Sequence, residues 1–156
     1  MKRTFFAWAI ALSMVFVATS DRAFAHCEIP CGIYDDEMRF DMIIEHIATI
    51  EKSMEAILSL SPPKKGDHNQ LVRWISNKEK HANEIQEIVS QYFLTQRVKI
   101  PKGVKASVDY VESLKRLHEL LVYAMKAKQT TDLEYVHALK KTTESYRNLY
   151  MKMHGH

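Results

Sequence analysis

The sequence has 156 residues, enough for one compact domain and too few for a multidomain machine. With 46% hydrophobic and 26% charged residues and only 4 Gly and 4 Pro, it is the material of a packed, helix-favouring globular protein, not of a disordered or collagen-like chain. The formal charge of +3 sits mostly at the start; setting aside Lys2, Arg3, Asp21 and Arg22 leaves 19 basic and 18 acidic residues, interspersed, a balance that argues against binding a phosphate backbone.

In chain order, MKRTFFAWAIALSMVFVATSDRAFA opens with a basic start, continues as an apolar run from Phe5 to Ala18 and ends in small residues around Ala23 and Ala25. This is the three-part pattern of a secretory signal peptide cleaved after Ala25. The run of about 14 residues falls short of the roughly 20 that a spanning helix needs. Residues 1–25 are therefore expected to be a leader, and the protein to be exported to a periplasmic or extracellular space, with a cytoplasmic protein carrying a cleaved leader as the alternative.

Cleavage there makes His26 the first residue, with a free α-amine beside its imidazole. That amine titrates near pH 8, so a metal displaces its proton at small cost. The segment HCEIPCGIYDD, His26 to Asp36, holds both cysteines of the chain. The His26 amine, the Cys27 backbone nitrogen and the Cys27 and Cys31 thiolates make two nitrogens and two sulfurs, with the His26 imidazole near enough to be a fifth donor. An amine and a deprotonated amide favour a square-planar field, which suits Ni or Cu(II). Zinc, content with four tetrahedral side-chain ligands, gains nothing from them. Pro30 and Gly32 let the three-residue spacer fold back so that both sulfurs reach one ion.

Four amphipathic segments follow. Asp35 and Asp36 can cap the first, whose apolar residues Met42, Ile43, Ile47, Ile50, Met54, Ile57 and Leu58 recur at steps of three and four. SPPKKGD, Ser61 to Asp67, stops it. The second presents Leu71, Val72, Ile75, Ala82, Ile85, Ile88, Val89, Tyr92 and Phe93, and ends before the turn at Pro101 and Gly103. The third carries Val108, Val111, Leu114, Leu117, Leu121, Val122 and Met125. The fourth, capped by Thr130 or Thr131, carries Leu133, Val136, Leu139, Tyr146, Leu149 and Met153. No stretch alternates with the period of a strand. Four such segments with short breaks predict an all-α antiparallel four-helix bundle over residues 37–156, preceded by a metal-binding segment at 26–36.

His26, Cys27, Pro30, Cys31, Gly32 and Tyr34, reading H-C-x-x-P-C-G-x-Y at a processed N-terminus, resemble the nickel superoxide dismutase family. The resemblance implies a nickel hook, a four-helix bundle and a homohexamer that dismutes superoxide to dioxygen and hydrogen peroxide. It also implies a nickel ion bound by the His26 amine and imidazole, the Cys27 amide and thiolate and the Cys31 thiolate. Tyr34 would order water or superoxide beside the metal, and Tyr92, in QYF, matches the family's second active-site tyrosine. Glu28 stands where many members have Asp, at a position that contributes mainly backbone. The family orients its first imidazole with a carboxylate on the first helix, for which Asp41 and then Glu45 are the candidates. Its arginine partner on the second helix falls near Asn77 here. Tyr34, ordered water and the thiols are all chemically able to deliver protons.

The competing class is an exported helical-bundle carrier with a Cys27–Cys31 disulfide or a copper site. A thiol oxidoreductase is disfavoured by the three-residue spacing between the cysteines. Met42 and Met54 read as core filler, and Tyr146 and Tyr150 as packing on the fourth helix. His46, His68, His81, His118 and His137 are scattered singly and read as surface or packing residues. His154 and His156 belong to a frayed tail able to bind adventitious metal, and Lys64 and Lys65 keep a proline-rich loop solvated.

Overall fold

The computed structural model describes residues 36–62, 64, 67–103 and 107–154, all within the unit Gly32–His156. The leader and most of the hook, residues 26–35, therefore lie outside the described residues. Among those described there are four long helices and no strand: α1 (Asp36–Ser59), α2 (His68–Glu87), α3 (Val108–Gln129) and α4 (Glu134–His154). α2 runs without interruption into a π-helical segment, Ile88–Arg97. No described helix is long and apolar enough to cross a membrane.

Each helix packs on its sequence neighbour, and α1 closes the ring against α4. Antiparallel order follows from which ends meet. Asp36 at the start of α1 reaches Arg97 beyond α2 and Tyr150 near the end of α4. Glu51, late in α1, receives Lys140, early in α4, at 2.7 Å. The core alternates bulk and small residues: Phe40, Ile43, Ile47, Ile50 and Met54 on α1 face Ala82, Ile85, Val89 and Phe93, while Leu117, Leu120, Ala124 and Ala127 of α3 meet Val136, Leu139, Tyr146 and Tyr150 of α4. Burying one such aliphatic or aromatic side chain contributes roughly 1.5–3 kcal/mol, so these stripes, rather than helix propensity, hold the bundle together.

The ends of the helices depart from the sequence reading in instructive ways. Asp36 and Glu37 occupy the first turn of α1, where negative charge suits the helix dipole, but the Asp36 carboxylate is engaged by other helices. The cap of α4 is Asp132, whose Oδ1 accepts the Glu134 amide at 2.9 Å; Thr130 instead accepts the amide of Asp132 at 3.1 Å. At the end of α3, Lys78 reaches from α2 and its buried ammonium donates to the carbonyls of Lys128 at 2.6 Å and Thr130 at 2.9 Å. A cation there satisfies acceptors that no further turn can reach.

The predicted inner face of α3 is also rotated. Ser113, Leu117, Leu120, Ala124 and Ala127 are buried, whereas Val108, Val111 and Met125 are exposed. Small residues at 113, 124 and 127 permit close approach to α4, and close approach is worth more than placing every aliphatic residue inside. Val72, Ile75, Leu58 and Met153 are left outside in the same way.

Candidate functional site

The described residue nearest in sequence to the predicted hook is Asp36, two positions after Tyr34 and five after Cys31. Its carboxylate is gripped from two other elements. Oδ2 accepts the Tyr150 hydroxyl at 2.6 Å. Oδ1 accepts Arg97 Nε at 2.8 Å, Arg97 Nη2 and the Tyr92 hydroxyl. Arg97 Nη2 also donates to the Tyr92 oxygen at 3.0 Å, closing a triangle of acid, phenol and guanidinium. The Asp36 side chain is only 14% exposed.

The π-helical segment makes this triangle possible. In an α-helix, with about 3.6 residues per turn, side chains five apart diverge around the cylinder. Here the Val98 amide bonds the Phe93 carbonyl at 2.9 Å, a five-residue step. Thr95 and Gln96 side chains likewise bond the carbonyls five back, at Ser90 and Gln91. The widened turn brings Tyr92 and Arg97, five apart, onto one face. Such segments concentrate at functional sites.

Behind the clamp, Phe40, Phe93, Tyr146 and Tyr150 pack edge-to-face or tilted, with ring centroids 4.8–6.0 Å apart. Arg39 lies over the Tyr92 ring at 4.9 Å and Arg97 at 5.1 Å, so positive charge surrounds this tyrosine. His154 stacks on Tyr150 at 4.0 Å and bonds its carbonyl oxygen. α4 is thus held in helix through His154, further than a frayed tail would be. Arg97, Tyr146 and Tyr150 also line a cavity of about 280 Å³, so the clamp has packing on one side and open space on the other.

Charge states follow from these contacts. Burial alone would raise the Asp36 pKa, but hydrogen bonds from Tyr150, Tyr92 and Arg97, with the charge of Arg97, overcome it and hold the carboxyl below its ordinary 3.8. Burial, then the bond to Asp36, pushes Tyr92 and Tyr150 up, so both stay protonated donors at neutral pH. Burial opposes the charge on Arg97, but its bonds to Asp36 and Tyr92 more than compensate.

An acid-stability prediction follows. Because the folded state holds Asp36 below 3.8, the unfolded chain binds more protons as pH drops through that value. The clamp's contribution is fully present above pH 3.8 and is lost as pH falls through the folded pKa. Urea midpoints measured between pH 5 and pH 2.5 should fall more steeply for the parent than for Asp36→Asn; parallel curves would contradict the assignment.

Of the sequence-predicted site residues, His26, Cys27, Cys31 and Tyr34 lie outside the described residues. Tyr92 is buried and central to the clamp. Asp41 is largely exposed and 3.7 Å from Arg147, which also pairs with Glu37. Glu45 is exposed. Asn77, at the expected arginine position, donates to Ser53 at 3.1 Å; the guanidinium groups beside Tyr92 come from Arg39 and Arg97 instead. Sequence reasoning missed Asp36, Arg97 and Tyr150 as a unit, and took Tyr150 as packing alone. It also missed that His46 and His81, read as isolated, meet across α1 and α2 with Nδ1 atoms 2.9 Å apart. Among the described residues no group of three or more His, Cys, Asp or Glu side chains is placed to hold a metal.

The sequence model of the family described as nickel-containing superoxide dismutase matches residues 21–154. No curated protein and no solved structure matches the chain.

Proposed function

The chain belongs to the nickel-containing superoxide dismutase family, an oxidoreductase with nickel as cofactor and superoxide as substrate, and from that premise we propose that residues 26–36 form its nickel hook. In this reading the His26 α-amine and imidazole, the Cys27 amide nitrogen and thiolate and the Cys31 thiolate hold the ion. The donor set fits the group, since thiolates serve nickel as they serve zinc, while the amine and amidate nitrogens and the square-planar field they favour suit nickel and not zinc. When bound, nickel supplies one-electron cycling between two oxidation states, the higher one stabilised by these donors.

The observation that carries the reading is the clamp on Asp36. It ties the last residue of the hook segment to Tyr92, the tyrosine that the resemblance assigns to the active site. Tyr34 stands two residues before Asp36 in the sequence. Tyr34 then orders water or superoxide beside the metal. Tyr92, its proton committed to Asp36 and its pKa raised, serves as a neutral positioning group and not as a base. The positive charge of Arg39 over the Tyr92 ring favours approach of an anion, whereas that of Arg97 is matched by Asp36.

The same proposal includes removal of residues 1–25 by a leader or signal peptidase, export, and a homohexamer. The first 20 residues fall outside the family match. Self-association is supported by aliphatic side chains left in solvent, Val108 at 85% and Ile100 at 84% exposure among them, which a neighbouring subunit would cover.

The test is metal content with dismutase activity on protein processed to begin at His26 and offered nickel, copper and zinc together. About one nickel per chain that depends on the N-terminal donor set is expected. One alanine added before His26 turns the amine into a peptide nitrogen and should abolish nickel binding at the hook together with activity. No nickel and an intact Cys27–Cys31 disulfide would overturn the hook.

A further inference from the structure

His46 on α1 and His81 on α2 are 35 positions apart in sequence, yet their Nδ1 atoms are 2.9 Å apart and their rings lie at 58° with centroids 5.0 Å apart. Both residues are half-buried, held by the packing of α1 on α2. His46 Nε2 is buried with no hydrogen-bond partner among the described residues. That ring therefore makes its one polar contact through Nδ1, towards His81.

We propose that His46 and His81 form a second metal site, separate from the hook, that binds a divalent late first-row cation through their two Nδ1 atoms. With metal–nitrogen bonds of about 2.05 Å, a 2.9 Å separation of the nitrogens sets the angle at the ion to about 90°. That is the cis angle of a square-planar or octahedral ion. A tetrahedral ion, near 109°, would need about 3.3 Å between nitrogens at the same bond length. The 2.9 Å separation is that of the metal-free hydrogen bond, and a small opening of the pair admits nickel(II), copper(II) or zinc(II), all of which imidazole suits. Burial, then His81, holds the His46 pKa below its ordinary value, which keeps the ring a neutral donor; among the other charged groups Glu84 and Glu45 favour positive charge and Lys80 opposes it. No third His, Cys, Asp or Glu completes a cluster among the described residues, so water fills the other positions.

Without metal, one ring donates its Nδ1–H to the Nδ1 lone pair of the other. Binding replaces that hydrogen bond with two nitrogen-to-metal bonds. The ion loses two waters, and the displaced proton returns through solvent to Nε2 of the donating ring, so charge on the rings is conserved. The site stands on helix packing alone and does not depend on the hook.

The experiment is nickel and copper titration of the full processed protein, with metal per chain and the copper electron-paramagnetic-resonance spectrum as readouts. Two equivalents are expected in the parent and one in His46→Ala and in His81→Gln, each first shown to be helical. A Cys27→Ser, Cys31→Ser double variant should keep one equivalent, whose copper spectrum shows two equivalent imidazole nitrogens. A parent with no equivalent that depends on His46 and His81, or a second equivalent that survives both histidine substitutions unchanged and so belongs to the His154–His156 tail, would overturn the site. Loss of the hook metal alone, with the histidine-dependent equivalent retained, separates failure of the hook reading from failure of this one.

Discussion

Replacing Cys27 or Cys31 with serine should reduce superoxide dismutation to the uncatalysed background while leaving the helical signature of the bundle unchanged. The reason lies in the donors. A thiolate is an anionic, polarisable ligand that forms at moderate pH, whereas a serine hydroxyl stays protonated and is a hard oxygen donor. On the proposed hook, losing one sulfur would therefore remove both a ligand and the electron density that makes the higher oxidation state of nickel reachable. Fold and chemistry are expected to be separable here, because the core among the described residues is built from Phe40, Ile47, Ile85, Phe93, Leu117, Leu139 and their neighbours. Metal analysis, far-UV circular dichroism and activity on the same sample check all three statements. Full activity in either variant would sink the hook, and loss of helicity would show that the hook is part of the folding core.

Asp36→Asn should be the most damaging conservative change within the bundle. Asparagine keeps one acceptor oxygen but carries no charge, so the Arg97 guanidinium, 28% exposed, loses its counter-ion, and the hydroxyls of Tyr92 and Tyr150 compete for what is left. Removing one partner of a buried ion pair costs about 3–5 kcal/mol; discounted for the solvent that reaches Arg97, about 2–3 kcal/mol is expected. In a bundle of this size that lowers the melting temperature by roughly 10 °C. Because the clamp seats the chain just past Tyr34, activity should also fall, by roughly ten- to a hundredfold, the scale of a small misplacement at a reacting centre. Nickel content should be unchanged, since the donors are intact. A melting temperature within 2 °C of the parent, or full activity, would contradict the role given to Asp36; loss of nickel would mean that the clamp helps to form the hook and does more than position it.

Much of this protein is legible along the chain because the governing interactions are short in sequence. The proposed nickel donors lie within six residues, His26 to Cys31, so residue type and spacing state the chemistry directly and led to the family that the wider match bears out over residues 21–154. The four helices are equally plain, since a stripe such as Ile43, Ile47, Ile50 and Met54 repeats with the period of the helix that buries it.

Tertiary structure alone decided what those helices do to one another. The clamp on Asp36 joins residues 56, 61 and 114 positions away, and the histidine pair spans 35. No local pattern encodes either, because each depends on the rotation and register of packed helices. The π-helical segment is invisible for a related reason. Its apolar residues fit an α-helical stripe well enough, and the wider turn becomes the better solution only when Tyr92 and Arg97 can share the Asp36 carboxylate. The rotated face of α3 obeys the same logic, with Ser113, Ala124 and Ala127 inside and Val108 and Val111 outside. Periodicity says that a helix has an inner side; close packing against particular neighbours says which side that is.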